Sequence, residues 1–321
     1  VEHGENLRVR YCQKLCGDSV APGLLALLPA YVQEADVIHL TAVYSFPTLP
    51  TLLLCKLFGK PLVWSPRGAL QRWTGSTRLG LKTVWEMACK LVAPEKSVLH
   101  TTSKEEEEES LARFADMETV ILPNGIDVPE RINHSAPTER LRLLFLGRLH
   151  PKKGLENLLA ACNILNQTRG QNWQLTIAGT GGRGYIESLE ESIRSLCLKN
   201  QVSMFGEVIG TAKQALFEQT DLLVVPSFTE NFGIVVAESL AHGVPVIAST
   251  GTPWKRVEDK GCGLWVPNDP ESLARAIGKM SRQPLREMGL RGHQWMREEF
   301  SWSPIAQCMI QVYEQVLSRN L

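Results

Sequence analysis

An excess of charge of either sign is the first thing this 321-residue chain lacks: 34 lysines and arginines stand against 34 aspartates and glutamates. Without a basic surplus, nucleic acid is not an expected partner, and any anionic ligand must be held by a few local charges. A membrane-spanning run is also absent, since no stretch approaches the ~20 apolar residues a bilayer requires. The most apolar segment, 20–32, is broken by two prolines and a glycine. The opening Val-Glu-His-Gly-Glu-Asn is no signal peptide. It lacks an initiator methionine, so the chain is expected to begin inside a longer protein. Eight cysteines are scattered along the sequence, and only Cys12 and Cys16 are close together. No second close pair completes a zinc pattern, so reduced, mostly buried thiols in a cytoplasmic protein are expected.

What is present is a 44% hydrophobic composition, enough for two domains with separate cores. Short β-rich runs alternate with helical stretches, which predicts an α/β protein with parallel sheets. In the first half, strands are predicted at 7–12, 37–40, 61–65, 97–101 and 119–122. A helix is predicted from Ser103, where Ser103 and Glu106 make a capping box. The run Glu105 to Glu109 reads as a solvated first turn favoured by the helix dipole. A polar stretch, 128–140, with two prolines and no apolar periodicity, is the predicted linker. The second half restarts with a strand at 141–146. Regular helix–strand units follow, with strands at 174–178, 202–205, 222–226, 245–249 and 263–266, as in a doubly wound Rossmann-like domain.

Ligands of open α/β sheets bind beyond the carboxyl ends of the strands. After the first strand of the second half come Gly147, Arg148 and, just before the next helix, Lys153. An arginine fork and a lysine point charge suit a diphosphate. After the strand at 222–226 comes Ser227-Phe228-Thr229-Glu230-Asn231-Phe232-Gly233-Ile234-Val235-Val236-Ala237-Glu238. Two glutamates stand eight apart around a glycine at a helix start, where free amides can hold phosphate and the second carboxylate can accept from ribose hydroxyls.

This combination, Gly147-Arg148 with Lys153-Gly154 and then Glu230-x7-Glu238 through Asn231-Phe232-Gly233, resembles the family 4 retaining glycosyltransferases of the GT-B fold. The resemblance runs from about Val37 to the end, with supporting matches at Pro123-Asn124-Gly125-Ile126-Asp127, Ile177-Ala178-Gly179 and Ala241-His242-Gly243-Val244-Pro245-Val246. It implies two Rossmann-like domains facing a cleft. Residues 1–127 would form an acceptor-side domain lacking its first strand and glycine-rich loop, and 141–300 the donor domain. A last helix within 301–321 would cross back onto the first domain. Arg148 and Lys153 would bind the donor diphosphate and stabilise the leaving nucleotide. Glu230, with the backbone of Asn231, Phe232, Gly233 and Ile234, would hold the transferred sugar. Glu238 would bind the ribose, and the segment around Phe205, Gly206 and Glu207 would pack on the base. No metal or other cofactor is expected, because the cations stabilise the departing anion. The implied partners are a UDP-, GDP- or ADP-sugar donor and a glycan or lipid-linked acceptor. Gly251-Thr252-Pro253-Trp254 and Gly261-Cys262-Gly263 resemble a branch of the family found in surface polysaccharide assembly. Trp254 would either shape the donor pocket or pack.

Arg67, where many relatives place a histidine, could bind a phosphate or an anionic sugar but cannot shuttle protons. His39 reads either as lining the cleft or as a buried, hydrogen-bonded core residue. Gly179-Thr180-Gly181-Gly182-Arg183-Gly184 matches a dinucleotide fingerprint, with Glu207 some distance beyond, but it follows the second strand of its domain rather than the first. An NAD-dependent oxidoreductase, a sugar-nucleotide epimerase and a catalytically impaired nucleotide-binding relative are the competing readings. A lipid-linked acceptor would bring one face to the inner surface of a membrane. Lys56, Lys60, Arg72, Arg78, Lys82 and Lys90 in the first domain hint at such a face.

Overall fold

The computed structural model describes residues 7–15, 20–72, 79–136, 138–167 and 172–318; Cys16 and Arg78 fall outside them. The chain divides into two compact units, one formed by Val1–Leu122 with Gln307–Leu321, the other by Pro123–Ala306.

In the first unit the apolar run 20–32 becomes helix α1 (Pro22–Glu34), with a proline in its first turn. Then follow β1 (Ile38–Thr41), α2 (Thr48–Phe58), β2 (Leu62–Ser65), α3 (Leu79–Val92), β3 (Ser97–Thr101), α4 (Lys104–Leu111) and β4 (Glu118–Ile121). The strands form a parallel sheet in the order β1-β2-β3-β4. Successive side chains point to opposite faces. Leu62, Trp64 and Leu99 pack with α2, α3 and Phe114, whereas Val63 and Val98 pack with Val312 and Val316 of the last helix. The expected strand at 7–12 does not form. Only a bridge position at Arg8 is found in residues 7–15, because an isolated apolar alternation without a neighbouring strand has no ladder to join.

The second unit contains β5 (Leu141–Leu146), a 3-10 turn (Pro151–Lys153), α5 (Leu155–Gln167), β6 (Trp173–Ala178), α6 (Arg183–Ser195), β7 (Val202–Phe205), α7 (Gly210–Glu218) and β8 (Leu222–Val225). It continues with α8 (Ile234–Ala241), β9 (Val246–Ser249), α9 (Arg256–Asp259), β10 (Gly263–Val266), α10 (Pro270–Met280) and α11 (Leu285–Glu299), and a final helix, α12 (Trp302–Ser318), starts in this unit and ends in the first. The sheet is parallel in the order β10-β9-β8-β5-β6-β7. The strand order therefore reverses between β5 and β8, and the ligand crevice of such sheets lies at that reversal. Leu143, Phe145, Leu222 and Val224 face the core under α5, α6 and α10. Leu144, Leu223 and Val225 face the core under α8 and α11. At the opposite end of the two central strands, Asp221 takes a bidentate pair from Arg142 (3.0 and 2.7 Å) and also its backbone amide (2.9 Å), which pins β5 beside β8.

The stretch expected as a linker lies along the second unit. Ile126 donates to the Phe300 carbonyl (2.9 Å), Ser135 to that of Glu218 (2.8 Å), and Arg286 reaches the Ser135 carbonyl (2.6 Å). From Gln307 onward α12 clusters with the first unit.

Candidate functional site

The crevice at the β5–β8 reversal is assembled by close backbone packing. Gly154, left-handed with φ +66°, ends the turn after β5, and a Cβ there would collide with the Pro226 carbonyl at the end of β8. A glycine is thus required for the turn to lie flush against β8. Phe228 fastens the same junction by donating to the Lys152 carbonyl (2.9 Å). The result is that Lys153 forms an ion pair with Glu230, the two side chains being only 18 and 11% exposed. The same carboxylate oxygen accepts from Ser227 Oγ (2.8 Å), and the Glu230 amide donates to the Gly251 carbonyl (2.8 Å). Arg148, in the same loop after β5, is exposed. His150, whose Nδ1 accepts from the Lys152 amide (3.1 Å), is held below the usual imidazole range by burial and by the charges of Arg148, Lys152 and Lys153.

Glu238, one turn into α8, pairs with Lys213 of α7 at 2.6 Å. No sequence motif points to Lys213. Its partner lies 25 residues away on the helix after the next strand, and only the fold joins them. Gly233 caps the start of α8, and the Phe232 carbonyl behind it accepts from the Trp254 indole. Trp254 is buried among Phe232, Trp295 and Phe300, with ring centroids 5.3–5.8 Å away. It therefore packs under the Glu230–Gly233 loop instead of presenting a face to ligand, which settles its two readings in favour of packing. At the end of β7, Phe205 is 55% exposed, and the carbonyls of Phe205 and Gly206 both accept from the Gly179 amide. Glu207 follows in the same loop.

The run Gly179-Thr180-Gly181 serves that same packing. A Cβ on Gly179 would strike the Gly147 carbonyl, and one on Gly181 the Leu149 carbonyl. Leu149 and Gly181 form a parallel bridge. Gly179 and Gly181 let the loop after β6 pass against the loop after β5, which gives the first two glycines of the dinucleotide fingerprint an architectural reason, whereas an added Cβ on Gly184 would meet open space.

In the first unit, His39, Ser65 and His100 lie on one face of β1, β2 and β3. His39 Nδ1 meets Tyr313 Oη (2.6 Å) and its Nε2 meets Ser65 Oγ (2.7 Å); Ser65 Oγ meets His100 Nδ1 (2.7 Å), and His100 Nε2 meets the Leu122 carbonyl (2.8 Å). Burial first, then His100 and Arg67, lowers His39 to about 4, and His100 is lowered chiefly by burial. Both rings are therefore neutral, and a carbonyl only accepts. One polarity follows: Tyr313 donates to His39, His39 to Ser65, Ser65 to His100, and His100 to Leu122. His39 is thus a hydrogen-bonded layer residue. Arg67 stands exposed just beyond Ser65 in a left-handed conformation (φ 54°) that costs about 1–3 kcal/mol for a non-glycine residue. Glu106 holds that loop. Its carboxylate accepts from the Gly68 amide (2.6 Å) and from the amide and hydroxyl of Thr102 (2.7 Å each). The expected cap is present at Ser103, whose Oγ accepts from the Glu106 amide (3.1 Å). Glu106 is buried, which corrects the reading of the whole glutamate run as solvated.

Two cavities among the described residues, of about 630 and 460 Å³, include none of these side chains. We place the site by its chemistry, since an open strand-end crevice encloses little volume.

Comparison with known proteins bears on this geometry. The sequence profile of the family described as glycosyl transferases group 1 matches residues 129–293. The chain belongs to this family. An uncharacterized glycosyltransferase of Methanocaldococcus jannaschii is 34% identical over 182 residues, 54% of this chain and 44% of that protein. The phosphatidyl-myo-inositol mannosyltransferase of Mycobacterium tuberculosis is 32% identical over 228 residues, covering 64% of this chain and 58% of that one. The chain spans about half the length of the curated relatives it matches. Among solved structures, HepE of Anabaena in complex with UDP superposes with TM-score 0.76 at 19% identity over 92% of this chain and 82% of that chain. Sucrose-phosphate synthase of Thermosynechococcus elongatus superposes with TM-score 0.73 at 23% identity over 93% and 80%. The fold is accordingly the α/β GT-B fold.

Proposed function

We propose that the protein is a retaining glycosyltransferase of family 4. In this reading it moves a sugar from a nucleoside-diphosphate sugar to a hydroxyl of a glycan or lipid-linked acceptor in surface polysaccharide assembly. The meeting of Lys153 and Glu230 across the β5–β8 reversal carries this reading. It sets a cation and a carboxylate where a diphosphate and its sugar would join. The donor diphosphate lies against Arg148, Lys153 and the free amides at the start of α8. Glu230 accepts from the hydroxyls of the transferred sugar, Glu238 from those of the ribose, and Phe205 stacks on the base. The anomeric C–O bond to the diphosphate breaks as the acceptor oxygen bonds the same carbon from the same face. The acceptor proton passes to the departing phosphate oxygen, whose charge the cations stabilise without a metal. No protein nucleophile is used. Arg67 faces the acceptor. The matched relatives, named for transfer to inositol phosphate and phosphatidyl-inositol, support a polar or lipid-linked acceptor.

Calorimetry against UDP-, GDP- and ADP-sugars, with and without divalent metal and with NAD(H) as control, tests the reading. Saturable metal-free binding of one nucleotide sugar, lost in Glu238→Ala, together with turnover, is expected. Binding without turnover on any acceptor would make the protein a nucleotide-binding relative. Binding of NAD(H) alone would overturn the assignment.

A further inference from the structure

Two groups stand out among the exposed large apolar side chains. Phe205, Ile209, Phe228 and Ile234 lie in or beside the strand-end loops of the second unit, where the donor reading sets Phe205 against the base. The other group lies on α2 and α3 and is used by nothing described so far. On α3 the inward residues Trp85, Glu86, Cys89 and Val92 pack into the first unit's core. Leu81, Val84, Met87 and Leu91 share the opposite face at helical spacing and are 65–76% exposed. This helix is therefore apolar on both sides, which core packing alone does not require. Leu53 and Leu57, one turn apart on α2, are also exposed, and Lys56 Nζ donates to the Leu91 carbonyl (2.9 Å), which joins the carboxyl ends of the two helices into one surface.

We propose that the outward faces of α2 and α3 dock the protein on an anionic lipid bilayer. Their charge decides the partner. Lys56, Lys82 and Lys90 lie on the two helices and Lys60 follows α2, whereas the single acidic residue of both helices, Glu86, is buried in a pair with Arg72. Lysine is depleted in protein–protein interfaces. At a bilayer its stem lies along acyl chains while its head reaches lipid phosphates. A contiguous apolar face whose rim carries Lys56, Lys60, Lys90 and Lys96 against the one exposed carboxylate of Glu95 keeps a basic excess and matches the second case. The inference stands apart from the donor-site reading, because none of these residues belongs to that site.

Co-sedimentation of the full chain with vesicles tests it. Binding to equimolar phosphatidylglycerol and phosphatidylcholine is expected, with at least ~tenfold weaker binding to phosphatidylcholine alone. Leu81→Glu with Leu91→Glu should weaken binding to the mixed vesicles at least ~tenfold while leaving the circular dichroism spectrum and thermal midpoint unchanged, since both side chains are solvent-exposed. Lys60→Glu with Lys90→Glu supplies a second, independent loss. Absence of binding to mixed vesicles, or binding that survives both pairs of substitutions, would overturn the proposal. So would a concentration-dependent dimer in sedimentation that the leucine substitutions abolish, which would make this a face between protein copies.

Discussion

Lys153 and Glu230 neutralise one another at the strand ends, so replacing either one should affect a nucleoside diphosphate in opposite directions. Lys153→Met removes a charge-assisted contact to phosphate worth about 1.5–3 kcal/mol, which is roughly ten- to hundredfold in Kd. Glu230→Gln removes a negative charge near the diphosphate. At an effective dielectric of about 20, two unit charges ~6 Å apart repel by ~3 kcal/mol. Counterions and water reduce this to ~1 kcal/mol, or about fivefold tighter binding of the nucleotide alone. Sugar transfer should nonetheless fall at least ~hundredfold in Glu230→Gln, because the carboxylate that would orient the sugar is gone. The two variants should also differ in stability. Lys153→Met takes the cation away from a largely buried carboxylate, whereas Glu230→Gln leaves a neutral group there, so the first should melt lower. Titration calorimetry with the nucleoside diphosphate, the matching nucleotide sugar and each variant reads these effects directly. Equal loss of diphosphate affinity in both variants would refute the proposed division of labour between cation and carboxylate.

Gly154→Ala should lower both the thermal midpoint and donor affinity. The left-handed backbone costs about 1 kcal/mol or more with a Cβ, and relieving the collision with Pro226 moves Lys153 away from Glu230; unchanged nucleotide binding would count against the packing argument. Trp295→Ala should cost about 3–5 kcal/mol in urea unfolding, because it empties the centre of the Trp254–Phe300 cluster. Stability should fall as the pH drops from about 6.5 to about 4. In that window the unfolded chain protonates His39 while the folded protein, with His39 at about 4, does not. The loss is at most ~3 kcal/mol and smaller where water reaches the ring; His39→Asn should flatten the slope between pH 7 and 5, and a wild-type stability equal at both values would refute the neutral-ring network.

Much of the second unit was legible from sequence. Its strands are short apolar runs closed by turns, and the predicted bounds at 141–146, 202–205 and 263–266 coincide with β5, β7 and β10. Lys153 and Glu230 could be expected near one another because strand-end loops of parallel sheets converge by topology, and they form an ion pair. What escaped prediction depends on side chains meeting across the fold. Lys213 reaches Glu238 only because α7 and α8 lie side by side. Glu106 looked like one carboxylate in a solvated run, and its burial follows from the Gly68 amide coming within reach over a separation of 38 residues. The strand expected at 7–12 shows the converse: local alternation without a partner strand does not make a sheet.

The last helix has a consequence for the order in which the protein is completed. The unit 123–306 is continuous and can close its core as soon as those residues are made. The first unit cannot. Val63 and Val98 wait for Val312 and Val316, and His39 waits for the hydroxyl of Tyr313. During synthesis the strands at 62–65 and 97–101 thus present an open sheet face until residues 312–316 have been made, so the first unit closes only after the second can.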